Sequence, residues 1–171
     1  MSLIPTKLTD MNIYSEGHKM MGTNGEMDLP ELEPIKTEVA GAGIAGSFED
    51  PTPGYFAPLK VTIKFRTIDE DAVHLAAHEA HTLTLRAAQT KHNPADGTNT
   101  HEGIKVVFRG LTTKFAMGKA KSGEPTDTEI EKDVTYLKIT KNGETMVELD
   151  KFNHVYIVGK KDYMKQIRDL I

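Results

Sequence analysis

The chain has no cysteine, which excludes disulfides, zinc–thiolate sites and thiol nucleophiles. It has no long apolar run. No window approaches the ~18 uninterrupted apolar residues of a membrane helix, and the opening Met-Ser-Leu-Ile-Pro-Thr-Lys lacks the apolar stretch of a secretory signal. The expectation is a soluble chain made in the cytosol. An excess of positive charge is also missing. Lys+Arg total 21 against 25 Asp+Glu, a net charge of −4, whereas a general grip on phosphate needs clustered cations. Serine is scarce and Gly-x-Ser-x-Gly is absent, so no nucleophile elbow is present. The carboxylates stand mostly beside lysines, and nothing points to a two-carboxylate glycosidase. No internal repeat and no heptad pattern is found. Disorder is excluded as well, because 38% apolar residues over 171 positions suffice for one buried core. The whole chain, 1–171, reads as a single domain.

What is present is alternation with a period of two. Val61, Ile63 and Phe65 alternate with Thr62, Lys64 and Arg66; Leu83, Leu85 and Ala87 with Thr84 and Arg86; Ile104, Val106 and Phe108 with Lys105 and Arg109. Each run predicts a strand buried on one face. Weaker strands are expected at Met11–Tyr14, Glu26–Leu29 and Ile35–Val39. Asn142-Gly143, between Val134–Lys141 and Glu144–Asp150, predicts a hairpin with a type I′ turn, and a further strand is expected over Asn153–Val158. Asp69-Glu70-Asp71 starts a short helix expected to run to about Glu79. Asp162 is placed to cap a C-terminal helix. The fold class is mainly β (α+β): a small antiparallel β-barrel or sandwich with one short mid-chain helix and a C-terminal helix.

Three segments read as long loops: 41–60, with four glycines and three prolines; 90–103, whose one apolar residue is Ala95; and 118–128. Loops of this length serve as binding surfaces or are disordered. Charge is uneven. Residues 1–60 hold 4 basic and 9 acidic residues, residues 61–120 hold 8 and 6.

Two motifs invite chemistry. Gly41-Ala42-Gly43-Ile44-Ala45-Gly46 spells a dinucleotide fingerprint, but Pro51 and Pro53 deny it the helix whose N-terminus would hold a pyrophosphate. The plain reading is a flexible, close-packing glycine loop. His74, His78 and His81 recur at helical spacing, with Asp71 three residues earlier, and neutral imidazoles so placed can bind zinc. The helix is expected to end before His81, however, and a solvated polar face explains them equally well. No cofactor, metal or catalytic residue is assigned.

The order of several short pieces carries more information than any one of them. Pro5-Thr6-Lys7-Leu8, Asn12-Ile13-Tyr14, Leu29-Pro30-Glu31-Leu32 and the glycine loop 40–46 are followed by Arg109-Gly110, Gly118-Lys119-Ala120-Lys121-Ser122-Gly123-Glu124, Leu149-Asp150, Asn153, Asp162 and Arg168. Across about 150 residues this resembles the major tail tube protein of contractile-tailed bacteriophages and of the related R-type bacteriocins. One departure is Val158-Gly159-Lys160-Lys161, where the family often has Asn-Gly.

The resemblance implies a structural subunit, not an enzyme. Six copies would form a ring, and rings would stack into a hollow tube for DNA passage or envelope puncture. A sheath protein would lie outside, a tape-measure protein and, in a DNA-carrying particle, DNA inside, and a baseplate and tail terminator at the ends, with no membrane anchor. The protein would be part of the virion, made and assembled in the bacterial host cytoplasm. Gly41, Gly43, Gly46, Pro51, Pro53 and Gly54 are then the expected contacts between subunits or rings. Glu26, Asp28, Glu129, Glu131 and Asp133 are the candidates to line the lumen, where carboxylates would repel phosphate. Two alternatives stand beside this: the inner-tube ring protein of a type VI secretion-like system, and a metal-dependent β-barrel enzyme built on the histidines.

Overall fold

The alternating runs become strands in the computed structural model, which describes residues 3–171. In chain order these are β1 (Ile4–Ser15), β2 (His18–Lys19), β3 (Thr23–Asp28), β4 (Pro34–Ala40), β5 (Ser47–Phe56) and β6 (Lys60–Phe65). After α1 (Glu70–Ala76) come β7 (Ala80–His92), β8 (Asn99–Ala116), β9 (Thr128–Lys141), β10 (Glu144–Asp150), β11 (Val155–Val158), β12 (Lys161–Asp162) and α2 (Lys165–Arg168). Ten strands form one antiparallel sheet, ordered β12-β11-β10-β9-β8-β7-β1-β2, with β6 on β9 and β3 on β6; β4 and β5 pair only with each other.

β9 serves two partners on one side. Its first half, Thr128–Asp133, runs beside β6, and its second half, from Tyr136, beside β10; β8 follows its other side. The sheet therefore divides into two wings that share a core. That core takes Val61, Ile63 and Phe65 from β6, Leu83 and Leu85 from β7, Val106 and Phe108 from β8, and Ile130, Val134 and Leu137 from β9. Those from β6, β7 and β8 are residues that the period-two pattern marks as inward. The division falls at a bulge, where Arg109 stands opposite Tyr136 but the next residue, Gly110, opposite Val134. There the backbones approach so closely that a Cβ on Gly110 would strike the Asp133 carbonyl oxygen.

Of the two expected forms, the sandwich is found. The sheets do not close into a barrel. β2 covers β1 only at Tyr14 and Ser15, so among the described residues the outer edge of β1 is open along most of its length.

Several expectations need correction. Segment 41–60 is not one loop: β4 and β5 make a hairpin from Pro34 to Phe56, turning at residues 41–46. Gly43 (φ 90°) and Gly46 (φ 108°) supply the left-handed backbone of that turn. Pro51 and Pro53 sit within β5, which they can do because every strand of a two-stranded sheet is an edge. Segment 90–103 is mostly strand as well. β7 and β8 pair out to His92 opposite Asn99, leaving a turn at 93–98 held by Asp96, whose carboxylate accepts from the Thr98 amide (2.9 Å) and hydroxyl (2.6 Å). This arm runs past the end of β9 and so beyond the core, which explains its polar sequence. Residues 118–127 are a loop, as expected. Helix α1 stops at Ala76, not Glu79, because Ala77 turns to extended backbone; Asp69 caps its start, accepting from the Ala72 amide at 2.8 Å. Asp162 is not the N-cap of α2. That position is Met164, and Asp162 instead accepts from the Met164 amide (3.0 Å) and Arg168 (2.7 Å). The Asn142-Gly143 turn has positive φ at both residues, 50° and 83°, as a type I′ hairpin requires.

The bulge at Gly110 gives the first prediction. Gly110→Val forces β8 off β9 and should cost about 1–3 kcal/mol, the range for overpacked interiors. Urea unfolding measures it; an unchanged midpoint would contradict the close approach.

Candidate assembly surfaces

No residue of the hairpin β4–β5 is fully buried. Ile35, Ile44, Phe48 and Tyr55 are 40–53% exposed on it. A two-stranded sheet is marginal alone in water, so these side chains lack the cover that would make it firm. Of the six residues expected at contacts, Gly41, Gly43 and Gly46 lie at its turn and Pro51 and Pro53 along its second strand. Gly54 (φ 74°) is different: a Cβ there would run into the Met164 side chain of the same chain. Gly54, Pro51 and Pro53 share a cleft of about 300 Å³ with Phe56, Tyr156 and Tyr163, where Phe56 stacks edge-on against Tyr156 at 5.0 Å. The hairpin is thus anchored at its base and free at its tip.

The five candidate lumen carboxylates fall together. Ile130, Lys132 and Val134 of β9 are buried, so Glu129, Glu131 and Asp133 project from the opposite face. β6 lies between β9 and β3, and its lysines bind both sides. Lys64 holds Glu26 at 2.6 Å and Asp28 at 3.3 Å, which raises its pKa, chiefly through the Glu26 hydrogen bond. Lys60 holds Glu131 at 3.0 Å. Lys60 and a hydrogen bond from the Thr113 hydroxyl (3.2 Å) keep the Glu131 carboxyl below its ordinary range against some desolvation. Lys114 stands opposite Glu131 on β8. Five carboxylates meet three lysines, and the face keeps a net negative charge.

The histidines do not converge. Among the described residues no group of three His, Cys, Asp or Glu could hold a metal ion. His78 lies past the end of α1, while the His74 and His81 rings meet edge to face at 5.0 Å. His81 is committed elsewhere, to Lys132, a lysine only 1% exposed. The ammonium has three acceptors: the Leu75 carbonyl (3.2 Å), Thr112 Oγ1 (2.6 Å) and His81 Nδ1 (3.0 Å). One of them, Leu75 O, is a carbonyl at the end of α1, where a cation is favoured, and it also accepts from the Thr112 hydroxyl at 2.6 Å. The contact ties α1 to β7, β8 and β9. Burial pushes the Lys132 pKa down to about 8. Burial first, then the Lys132 and His74 charges, lowers that of His81. Sequence reasoning missed this lysine, although its inward parity between Ile130 and Val134 was the available signal.

The fold is that of a known tube-end protein. Over 80% of this chain and 96% of the other it matches the sheath/tube terminator of an extracellular contractile injection system in its extended state, with a TM-score of 0.55 and 12% identity. Sequence goes further: the chain belongs to the phage tail tube protein FII family, whose model matches residues 5–171. The tail tube protein of Escherichia phage P2 is 26% identical over 181 aligned positions, covering 96% of each chain. The protein is a structural tail tube subunit, not an enzyme.

Titration of the buried pair gives the second prediction. His81 is held neutral in the fold, so stability present above pH 6.5 is lost as pH falls below it. Lys132 loses its proton more readily folded than unfolded, so stability should rise as pH is raised from about 8 toward 10. Melting curves of Lys132→Met across pH 7–10 should lack that rise. A variant whose profile parallels the parent would contradict the assignment.

Proposed function

We propose that this subunit builds the tube of a contractile tail, six copies closing into each ring and rings stacking into a hollow conduit. The observation that carries this is the pairing of an open β1 edge with an uncovered apolar hairpin. Both are liabilities in a lone molecule, because an open edge templates further pairing and exposed apolar area favours association. Both vanish if neighbours cover them. In this reading β1 is extended by a strand of the adjoining copy, and the tip of β4–β5, with Gly41, Gly43 and Gly46, lies on the next subunit or ring. Ordering the hairpin costs entropy, which the buried apolar area offsets.

Glu26, Asp28, Glu129, Glu131 and Asp133 then face the bore. Their shared side of the sheet and net negative charge support this, since phosphate would slide past rather than adhere. A sheath protein lies outside, a tape-measure protein and, in a DNA-carrying particle, DNA pass within, and a baseplate and terminator close the ends. Assembly takes place in the bacterial cytoplasm, and the product is part of the virion.

Electron microscopy of concentrated purified protein should show rings or tubes of constant width; a sample of monomers alone would contradict the reading. Gly43→Val and Gly46→Val should stop tube growth with the melting temperature of the subunit little changed, because open space surrounds both positions and only the turn is strained. Tubes of normal length from both variants would remove the hairpin tip from the interface.

A further inference from the structure

Strand register exposes two like-charge pairs that ion pairs within the chain leave at least half uncompensated. Arg86 on β7 stands directly opposite Lys105 on β8, and both side chains are exposed. Directly opposed like charges destabilise a strand pair, and no carboxylate lies within 4.0 Å of either cation among the described residues. Arg86 rests instead over the Tyr14 ring, 5.1 Å from its centre. The two cations line an open trough of about 730 Å³ with Asp10, Asn12, Tyr14 and Thr140. Asp10, the acid of that group, accepts from the Met11 amide at 2.8 Å. On the same sheet face Arg109, four residues further along β8, lies over the Tyr136 ring.

The second conflict has the opposite sign. On the hairpin, Glu38 of β4 stands directly opposite Glu49 of β5, both exposed. Lys36 reaches Glu49 at 3.0 Å, and Glu38 has no cation within 4.0 Å among the described residues. Directly opposed residues on antiparallel strands are about 4.5–5.5 Å apart at Cα. A cation pair and an anion pair therefore sit at the same spacing on two parts of one polypeptide.

We propose that the Glu38/Glu49 pair of one copy docks on the Arg86/Lys105 pair of another. The inference rests on the tube reading and names its electrostatic key. Each pair relieves the like-charge repulsion of the other, and alternation puts Ile35, Val39 and Phe48, with Thr37 and Asp50 beside them, on the reverse face of the hairpin, away from the contact. The charge division along the sequence fits, since the hairpin lies in the acidic first third and the cations in the basic middle third. Such a contact fixes register and suppresses wrong neighbours.

Charge reversal tests it. Arg86→Glu with Lys105→Glu, and separately Glu38→Lys with Glu49→Lys, should each leave subunit melting unchanged and reduce sedimentable tubes by about tenfold or more. The four changes together in one chain should restore them. Since the parent has no cysteine, Glu38→Cys and Lys105→Cys chains mixed during assembly should be joined into a heterodimer by a bismaleimide long enough to span an ion pair. Tubes from Arg86→Glu/Lys105→Glu equal to the parent, whether or not they have lost binding of DNA or of a sheath, would overturn the pairing, as would failure of the fourfold exchange or of the cross-link. A parent that forms no tubes would instead overturn the tube reading.

Discussion

A strand edge is a row of amide and carbonyl groups whose hydrogen bonds must go somewhere, and in this subunit β1 leaves most of such a row without a strand beside it. The rest of the architecture is arranged around that incompleteness. The wings of the main sheet stay open where closure into a barrel would have hidden the edge. The hairpin β4–β5 stands off as its own sheet, with Ile35, Val39 and Phe48 on one face and the opposed Glu38 and Glu49 on the other. A chain that spends strand edges and apolar surface this way is stable enough to fold and unfinished enough to polymerise.

Rigidity comes from the region where β9 changes partner. The bulge at Gly110 lets one strand serve β10 and β6 in turn, so both wings are cut from the same continuous backbone. Beside it the buried Lys132 ammonium binds the end of α1 to three strands. A buried cation with no carboxylate partner is an uncommon choice. Here its three N–H groups are matched by three acceptors, so the polar node locates α1 instead of loosening it.

The elements with a dry side were legible in the sequence. Val61–Phe65, Leu83–Ala87 and Ile104–Phe108 alternate because one face is core, and Asn142-Gly143 announced its hairpin through the positive φ it needs. What was not legible lay beyond the core. β1 was expected only over Met11–Tyr14, because its first half, with Pro5, Thr6, Lys7 and Thr9, has no buried face to impose a pattern. The second strand of the hairpin, β5, and the long arm of β7–β8 read as loops for the same reason, although β4 was expected at Ile35–Val39. The five carboxylates could be picked out by type but not by face, which depends on the register of β9 against β6. The opposed pairs Arg86/Lys105 and Glu38/Glu49 are likewise visible only once register is fixed. Family membership was legible throughout, because it rests on the order of many short pieces and not on any one element.

The central claim, that assembly completes this sheet, is tested most directly by amide hydrogen exchange compared between dispersed subunits and tubes. If neighbours pair with it, the outward amides of Ile4–Asn12 and the amides of the hairpin Pro34–Phe56 exchange freely in the dispersed subunit and become protected in the tube, while the core strand Lys60–Phe65 is protected in both. Equal exchange of β1 in the two states would contradict the account.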